Sequence, residues 1–190
     1  IDSNSILEFK NYLNSKTAKQ IYQPRKIESL YFENNKHEMY NDSLEGLTPR
    51  KKIRVRNYPE NNNTSLYFET KISSVEGRFK NSEIILQKKF DEIKEKGYFD
   101  KQYGICRPII YVTYYREYYQ LNDVRIVVDK NINYEQFSGG KIGKDIDSIV
   151  EIKTRFDKNR DDLINDFPFQ RIRFSKYCNG FNKLYNKNQK

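Results

Sequence analysis

The sequence has no tryptophan, one histidine, one methionine and only two cysteines among its 190 residues. Two cysteines are too few for a disulfide framework or a cysteine metal site, so Cys106 and Cys178 are predicted to be free thiols in a reducing compartment. His37 has no second histidine or cysteine near it, which predicts an exposed loop residue rather than a ligand or a base. No apolar run approaches the roughly 18 residues of a membrane helix, and no signal peptide is visible.

Motifs for nucleophilic catalysis and for nucleotide loops are absent from the sequence as well. The single histidine has no placed partner, and neither cysteine lies in an activating context. The glycine-rich segment 139–144 lacks the spacing and the Ser/Thr of a Walker loop, which predicts a flexible loop instead.

Positive charge is in excess, with 35 Lys and Arg against 26 Asp and Glu and a net charge of +9. Such a chain is expected to meet polyanions, which include nucleic acids, acidic membrane surfaces and phosphorylated metabolites. The 16 Tyr and 12 Phe suit many short strands. A length of 190 residues predicts one domain over residues 1–190.

The segment 50–56 carries the most informative pattern. Because successive side chains of a strand point to opposite faces, Arg50, Lys52, Arg54 and Arg56 form a row of cations opposite Lys51, Ile53 and Val55. Similar alternation recurs at 150–155 and 171–175. One interpretation is a solvated sheet face. The other is a barrel whose charged faces point inward and hold a polyanion such as a chain of phosphates.

Periodicity also predicts the remaining elements. We expect loops over 34–48 and 133–147, and a bend or a short strand over 76–80. Helices are predicted over 2–16, from Ser82 to Gly97, and over 161–167. Strands are predicted over 27–33, 50–58, 64–73, 108–121, 123–129, 149–155 and 171–177.

Phosphate chemistry needs fixed cations on the phosphate oxygens and a divalent metal rather than a strong base. Glu151 is the best candidate metal ligand on an otherwise basic strand; the alternative is a salt bridge between Glu151 and Lys153. Arginine forks bind phosphate bidentately, and lysine supplies a point charge. Candidate cations are Arg54, Arg56, Arg116, Arg125, Arg173, Lys71, Lys80 and Lys176.

Seven ordered motifs between Ile27 and Gly180 resemble the VTC domain, the polyphosphate-polymerase branch of the CYTH or triphosphate tunnel metalloenzyme superfamily. The motifs are Ser29-Leu30-Tyr31-Phe32, Arg50–Arg56, Phe68-Glu69-Thr70-Lys71, Tyr115-Arg116-Glu117, Val124–Asp129, Val150-Glu151-Ile152-Lys153 and Arg173–Tyr177. This resemblance implies an α+β fold in which eight antiparallel strands form a tunnel barrel with flanking helices. The family's opening strand is missing from the sequence, so we expect an N-terminally truncated, incomplete barrel.

The resemblance also implies an activity, namely transfer of the γ-phosphate of ATP to a polyphosphate chain with Mn²⁺ or Mg²⁺. Position 173 is Arg where the family pattern has Lys. The implied metal ligand is Glu151. The implied catalytic residues are Arg54, Arg56, Lys71, Arg116 and Arg125, which also bind phosphate together with Lys80, Arg173, Ser175 and Lys176; Arg78 is an alternative to Lys80.

Three functions follow as hypotheses. The first is the polymerase or a related tunnel triphosphatase, acting on ATP and polyphosphate in the cytoplasm or at the cytoplasmic face of a membrane, with a membrane-anchored partner or an upstream anchor. The second is a non-catalytic sensor or scaffold that binds polyphosphate or a nucleotide. The third and least favoured is single-stranded nucleic-acid binding through Tyr114 and Tyr118. Replacing Arg54 and Arg56 with alanine is expected to abolish triphosphate binding and to leave the fold intact.

Overall fold

The computed structural model describes residues 1–60, 65–154, 167, 169 and 171–186. These residues form four helices and nine strands. The helices are α1 (Ser3–Ser15), α2 (Glu38–Glu45), α3 (Gln87–Lys96) and α4 (Lys176–Tyr185). The strands are β1 (Lys19–Glu33), β2 (Arg50–Asn57), β3 (Leu66–Ser73), β4 (Arg78–Ile85), β5 (Tyr98–Asp100), β6 (Gly104–Leu121), β7 (Val124–Gln136), β8 (Ile142–Lys144) and β9 (Ile149–Lys153).

The strands pair in one sheet with the order β4-β3-β2-β1-β6-β7-β8, while β5 pairs with β6 and β9 pairs with β7. The α+β class and the mostly antiparallel sheet are confirmed. Within the described residues the sheet has nine strands rather than the expected eight, and it is not closed, because no pairing joins β4 to β8. Alternating patterns predict strands one by one, whereas closure depends on which strands pair.

The described residues group into two compact units. The first unit comprises 1–25, 115–132 and 145–174, and its core packs α1 through Phe9 and Leu13 with Val124, Ile126 and Val128. The second unit comprises 26–114, 133–144 and 175–190. The expectation of a single domain over 1–190 stays a prediction. The core of the second unit includes Leu30, Phe32, Met39, Ile53, Val55, Leu66, Phe68, Ile93, Tyr103 and Cys106.

Two predicted helices are present, and one of them begins later than expected. The backbone N–H of Ser5 donates to Oδ1 of Asp2 at 2.8 Å, which caps α1. The helix predicted from Ser82 begins only at Gln87, because residues 78–85 pair with β3 in a continuous register. It ends where Gly97, with a φ of 87°, donates its N–H to the carbonyl of Ile93 at 2.9 Å.

Three other segments differ from the prediction. The expected loop at 34–48 contains α2, and the expected loop at 133–147 contains the end of β7 and the whole of β8. The expected strand at 171–177 is irregular up to Ser175 and helical afterwards, because the apolar residues Tyr177, Phe181 and Leu184 have helical spacing and are all buried. The helix predicted over 161–167 lies, except for Phe167, outside the described residues.

The structure also shows the environments of the two cysteines and of the single histidine. Cys106 and Cys178 are both free thiols, as predicted. His37 lies in a loop immediately before α2, as predicted, but it is half-buried rather than exposed, and its ring centroid lies 4.8 Å from that of Phe181. No helix in the part of the chain that the structure describes is long and apolar enough to span a membrane.

Packing of α4 makes Gly180 sensitive to substitution. A Cβ atom at this position would overlap the ring of Tyr134. We expect Gly180→Ala to lower the free energy of unfolding, because overpacking costs about 1–3 kcal/mol and alanine's better helix propensity offsets only about 1 kcal/mol. Urea denaturation measures the change. In Gly143→Ala the new Cβ would lie 3.4 Å from Cβ of Lys183, so this control is expected to be milder.

Candidate anion-binding site

Strands β2, β3 and β4 of the second unit place cations directly beside one another. Lys52 pairs with Lys71, and Lys71 pairs with Lys80. Paired residues of antiparallel strands carry their side chains on the same face, so three like charges are neighbours, which is unfavourable without a counter-charge. We call this surface the basic face; it is formed by Arg50, Lys52, Arg54, Arg56, Lys71, Arg78 and Lys80.

One carboxylate lies within the basic face. Glu69 is 2% exposed and accepts a hydrogen bond from Nε of Arg54 at 2.7 Å, while Nζ of Lys80 forms an ion pair with its other oxygen. Burial alone would raise the pKa of Glu69, but the charges of Arg54 and Arg56 outweigh it and lower the pKa to about 2. Glu69 is therefore an ionised internal counter-charge for two of the cations.

Arg54 and Arg56 of β2 are held by their neighbours and keep spare donors. Arg54 is 5% exposed and uses Nε and Nη2 on Glu69 and Nη1 on the Tyr31 hydroxyl. Arg56 is 7% exposed and donates from Nε to Ser29 at 3.1 Å and from Nη2 to the Tyr114 hydroxyl at 2.9 Å. A guanidinium has five N–H groups, so each arginine retains N–H groups for a further acceptor.

Tyr31 of β1 lies beside the basic face. It lies opposite Arg54 across β1 and β2, receives the 2.9 Å hydrogen bond from Nη1 of Arg54, and stacks on Tyr177 with ring centroids 5.1 Å apart. Burial would raise the pKa of Tyr31, but the charges of Arg54, Arg56 and Lys71 outweigh it and lower the pKa to about 8. A phenol with this pKa reports directly on the positive field of the face.

The ionisation of Tyr31 can be followed by its near-ultraviolet absorbance. Because the chain has no tryptophan, tyrosinate dominates the change of near-ultraviolet absorbance in an alkaline titration. We expect a step at about pH 8, neutral phenol below it and phenolate above it. Tyr31→Phe should remove this step, and Tyr115→Phe, at a 41% exposed tyrosine, should retain it. An unchanged titration of Tyr31→Phe would contradict the described field.

Two of the predicted phosphate-binding residues, Ser175 and Lys176, lie at the start of α4 in the second unit. Nζ of Lys52 donates to Oγ of Ser175 at 2.8 Å, and Ser175 caps α4 by accepting the N–H of Cys178 at 3.3 Å. Nζ of Lys176 lies 4.9 Å from the centre of the Tyr114 ring. The second unit therefore contains Arg54, Arg56, Lys71, Lys80, Ser175 and Lys176.

Arg116 belongs to the first unit and is held by a buried ion pair. Its Nε and Nη2 donate to the two oxygens of Asp129 at 2.5 and 2.7 Å, and Asp129 is fully buried. Nη2 also lies 3.8 Å from Oε2 of Glu151. The sequence pattern predicted Arg116 as a phosphate ligand, and the structure shows that two of its donors serve this internal pair.

For the motif Val150–Lys153 the sequence left two interpretations open, namely a metal ligand at Glu151 or a salt bridge between Glu151 and Lys153. Nζ of Lys153 and Oε1 of Glu151 are 3.8 Å apart, and both side chains are nearly half exposed. An ion pair of this length and exposure contributes little stability. Burial lowers the pKa of Lys153, and Glu151 opposes that shift. Glu151 is thus accessible to a cation, whereas Asp129 is enclosed and already bound to Arg116.

The other two predicted arginines of the first unit lie in different settings. The guanidinium of Arg125 lies 5.6 Å from the Tyr22 ring centre and 5.5 Å from that of Tyr118. Arg125 Nε is buried and makes no hydrogen bond within the described residues. Arg173 is exposed in the irregular segment before α4. Tyr118 itself is 3% exposed, which disfavours base stacking on its ring.

The carboxylates among the described residues determine whether the chain could bind a divalent metal. No group of three or more His, Cys, Asp or Glu residues suited to a metal occurs in the described ranges. Mg²⁺ is commonly held by one or two carboxylates with substrate phosphates completing the shell. The exposed carboxylate of Glu151 fits that mode, in which phosphate oxygens supply most ligands.

Sequence reasoning missed four residues of these sites: Tyr31, Glu69, Tyr114 and Asp129. Tyr31, Glu69 and Asp129 lie inside the quoted motifs, but their partners are set by strand pairing, which the sequence does not reveal. The alternation of β3 placed Glu69 on the same face as Lys71, and that signal indicated a carboxylate among the cations. Tyr114 was named only for the least favoured hypothesis, nucleic-acid binding; its side chain is buried, and its hydroxyl accepts a hydrogen bond from Arg56.

Solved structures share this fold. A provisionally assigned adenylate cyclase from Bacillus halodurans has 11% sequence identity and a TM-score of 0.61, and the match covers 92% of this chain and 89% of that chain. A conserved hypothetical protein from Pyrococcus furiosus has 16% identity and a TM-score of 0.56, covering 90% and 87%. At these identities the likeness shows the fold. No curated protein matches the sequence.

The family is shown by a direct match. The model of the VTC domain matches residues 1–185, so the chain belongs to the VTC domain family. This confirms the resemblance drawn from the seven motifs.

Proposed function

We propose that the chain is a metal-dependent phosphotransferase that moves the γ-phosphate of ATP onto a polyphosphate chain held on the basic face. The observation that carries this proposal is the row of Lys52, Lys71 and Lys80 in register beside two buried arginines. Glu69 is the one carboxylate paired with Arg54 and Lys80 there. A bound polyphosphate would add negative charge across the three neighbouring strands β2, β3 and β4.

The geometry suits electrostatic catalysis without a strong base. The terminal oxygen of a polyphosphate chain is anionic, so it can attack the γ-phosphorus while the bond to the β–γ bridging oxygen breaks and ADP leaves. Arg54 and Arg56 are fixed by neutral and acidic neighbours, and their remaining N–H groups would bind non-bridging phosphate oxygens. Lys71 would add positive charge.

Glu151 in the first unit is the residue that would hold the metal. When bound, Mn²⁺ or Mg²⁺ supplies further neutralisation of phosphate charge. Arg116 is oriented by Asp129, and we propose it and Arg125 as phosphate ligands of that unit. ATP as a substrate favours action in the cytoplasm or at the cytoplasmic face of a membrane.

A second candidate is a protein that binds polyphosphate without turnover. Both functions use the same cations, so binding alone does not distinguish them.

The test is to incubate the purified protein with ATP and Mn²⁺ or Mg²⁺ and to resolve phosphate products on a gel. We expect a ladder of long chains that Glu151→Gln eliminates. Free phosphate alone would indicate a triphosphatase, and tight triphosphate binding without turnover would indicate the non-catalytic protein. Glu135→Gln, which removes an exposed carboxylate from β7, is the matched control.

A further inference from the structure

The two ends of the basic face differ in chemistry. At one end, Arg50 pairs with Ser73, and Ser73 pairs with Arg78, next to the row of three lysines. At the other end, Arg56 pairs with Tyr67, and Tyr67 pairs with Ile84. These residues share one face because they are directly opposite in the antiparallel register. One end of the face therefore carries two arginines and a serine, whereas at the other end Arg56 lies beside an aromatic and an apolar side chain.

The cationic end remains positive after its internal contacts are counted. Nη1 of Arg50 donates to the carbonyls of Gly46 and Leu47 at 3.2 and 2.7 Å, and neither acceptor carries a formal charge. Arg78 is exposed at the start of β4. Such an end suits a long polyanion.

The other end of the basic face, which we call the apolar end, carries Tyr67 and Ile84 beside Arg56. Tyr67 is half-buried, and its ring meets that of Tyr58 edge to face at 5.7 Å between centroids. Ile84, its neighbour on β4, is 66% exposed. A tyrosine fixed by an aromatic neighbour and flanked by an exposed apolar side chain is suited to stack a planar base.

Spacing along the strands matches a nucleoside triphosphate. Residues 52 and 56 of β2 are four positions apart, which is roughly 13 Å at about 3.3 Å per residue. Phosphates lying on Lys52 and Arg54 would therefore bring the ribose and the base towards Arg56 and Tyr67. In this direction the base would lie beside Tyr67 and Ile84, whereas in the reverse direction it would lie beside Arg50 and Arg78.

We propose that Tyr67, with Tyr58 and Ile84, forms the nucleoside end of the basic face, and that Arg50 and Arg78 form the end that holds the growing polyphosphate chain. This inference rests on the proposed function, since it assigns a direction to the same bound phosphates. Tyr67 would determine preference for a nucleotide over a bare triphosphate. Arg78 would determine preference for long chains over short ones.

The test compares three ligands by calorimetry, namely ATP, tripolyphosphate and a long polyphosphate. We expect Tyr67→Leu, which keeps apolar packing against Tyr58, to weaken ATP binding by roughly 5- to 100-fold, the range that corresponds to losing one stacked base. Tripolyphosphate binding should be unchanged. Tyr67→Phe keeps the ring and should bind ATP like the unsubstituted protein, which controls for folding.

The other end of the face supplies the reciprocal control. Arg78→Gln should weaken binding of the long polyphosphate severalfold more than it weakens binding of ATP or tripolyphosphate. If Tyr67→Leu binds all three ligands normally, or weakens all three equally, the nucleoside end is overturned while the proposed function stands. If the unsubstituted protein does not bind tripolyphosphate, the proposed function fails and the inference fails with it.

Discussion

Asp129→Asn is expected to lower the free energy of unfolding by about 3–5 kcal/mol, the cost of removing one partner from a buried ion pair. Asp129 is fully buried, and its two oxygens accept Nε and Nη2 of Arg116 at 2.5 and 2.7 Å. Asparagine keeps the shape but removes the charge and one acceptor, so the 9% exposed Arg116 loses its bidentate carboxylate. Glu151 is too distant and too exposed to compensate.

Urea denaturation measures this loss. Glu135→Gln on the same strand β7 removes an exposed carboxylate and should change the free energy of unfolding by no more than about 0.5 kcal/mol. Equal stability of Asp129→Asn and Glu135→Gln would show that the pair with Arg116 does not form as described.

Arg56→Gln is expected to weaken tripolyphosphate binding by roughly 10- to 100-fold. Hydrogen bonds to charged groups contribute about 1.5–3 kcal/mol, and each 1.4 kcal/mol is a factor of about ten in affinity. The partners of Arg56 are the hydroxyls of Ser29 and Tyr114, so its replacement leaves no buried charge without a counter-charge. Calorimetry gives the affinity, and thermal unfolding verifies that the variant is folded.

Arg107→Gln is the matched control for Arg56→Gln, because it removes one positive charge from an exposed position on β6. Its affinity for tripolyphosphate should remain within about threefold of the unsubstituted protein, the effect of one screened charge. Equal affinities of the two variants would mean that net charge, rather than the basic face, governs binding.

Arg54 is a poorer probe than Arg56, contrary to the expectation that both arginines can be replaced without loss of the fold. Arg54→Ala would leave Glu69 buried with only the 47% exposed Lys80 as an ion-pair partner. We infer a loss of stability comparable to that of Asp129→Asn, and a failure to bind triphosphate would then have two causes. Arg56 is therefore the better position at which to test binding, because its replacement leaves the Arg54–Glu69 pair in place.

The row of cations on β2 was predictable, because alternation places Arg54 and Arg56 opposite the buried Ile53 and Val55 whatever the rest of the chain does. The same argument failed at 171–177, where the alternation ends at Ser175 and the helical spacing of Tyr177 and Phe181 governs the remainder. Short alternating runs are ambiguous when the neighbouring residues carry a different period.

The internal counter-charges were not predictable. Glu69 meets Arg54 because β2 and β3 pair in one register, and a shift by one residue would send it to the other face. The lowered pKa of Tyr31 also depends on strand pairing, because the pairing of β1 with β2 places Tyr31 opposite Arg54. Sequence patterns indicated which side chains share a strand face, and strand pairing decided which of them touch.

The most direct test of the account is a structure of the protein in complex with tripolyphosphate. We expect phosphate oxygens within hydrogen-bond distance of the unused N–H groups of Arg54 and Arg56 and near Nζ of Lys71, with the Arg54–Glu69 pair retained. Phosphate bound elsewhere, for example on the exposed lysines of α3, with Arg54 and Arg56 contacting only Ser29, Tyr31, Glu69 and Tyr114, would contradict it.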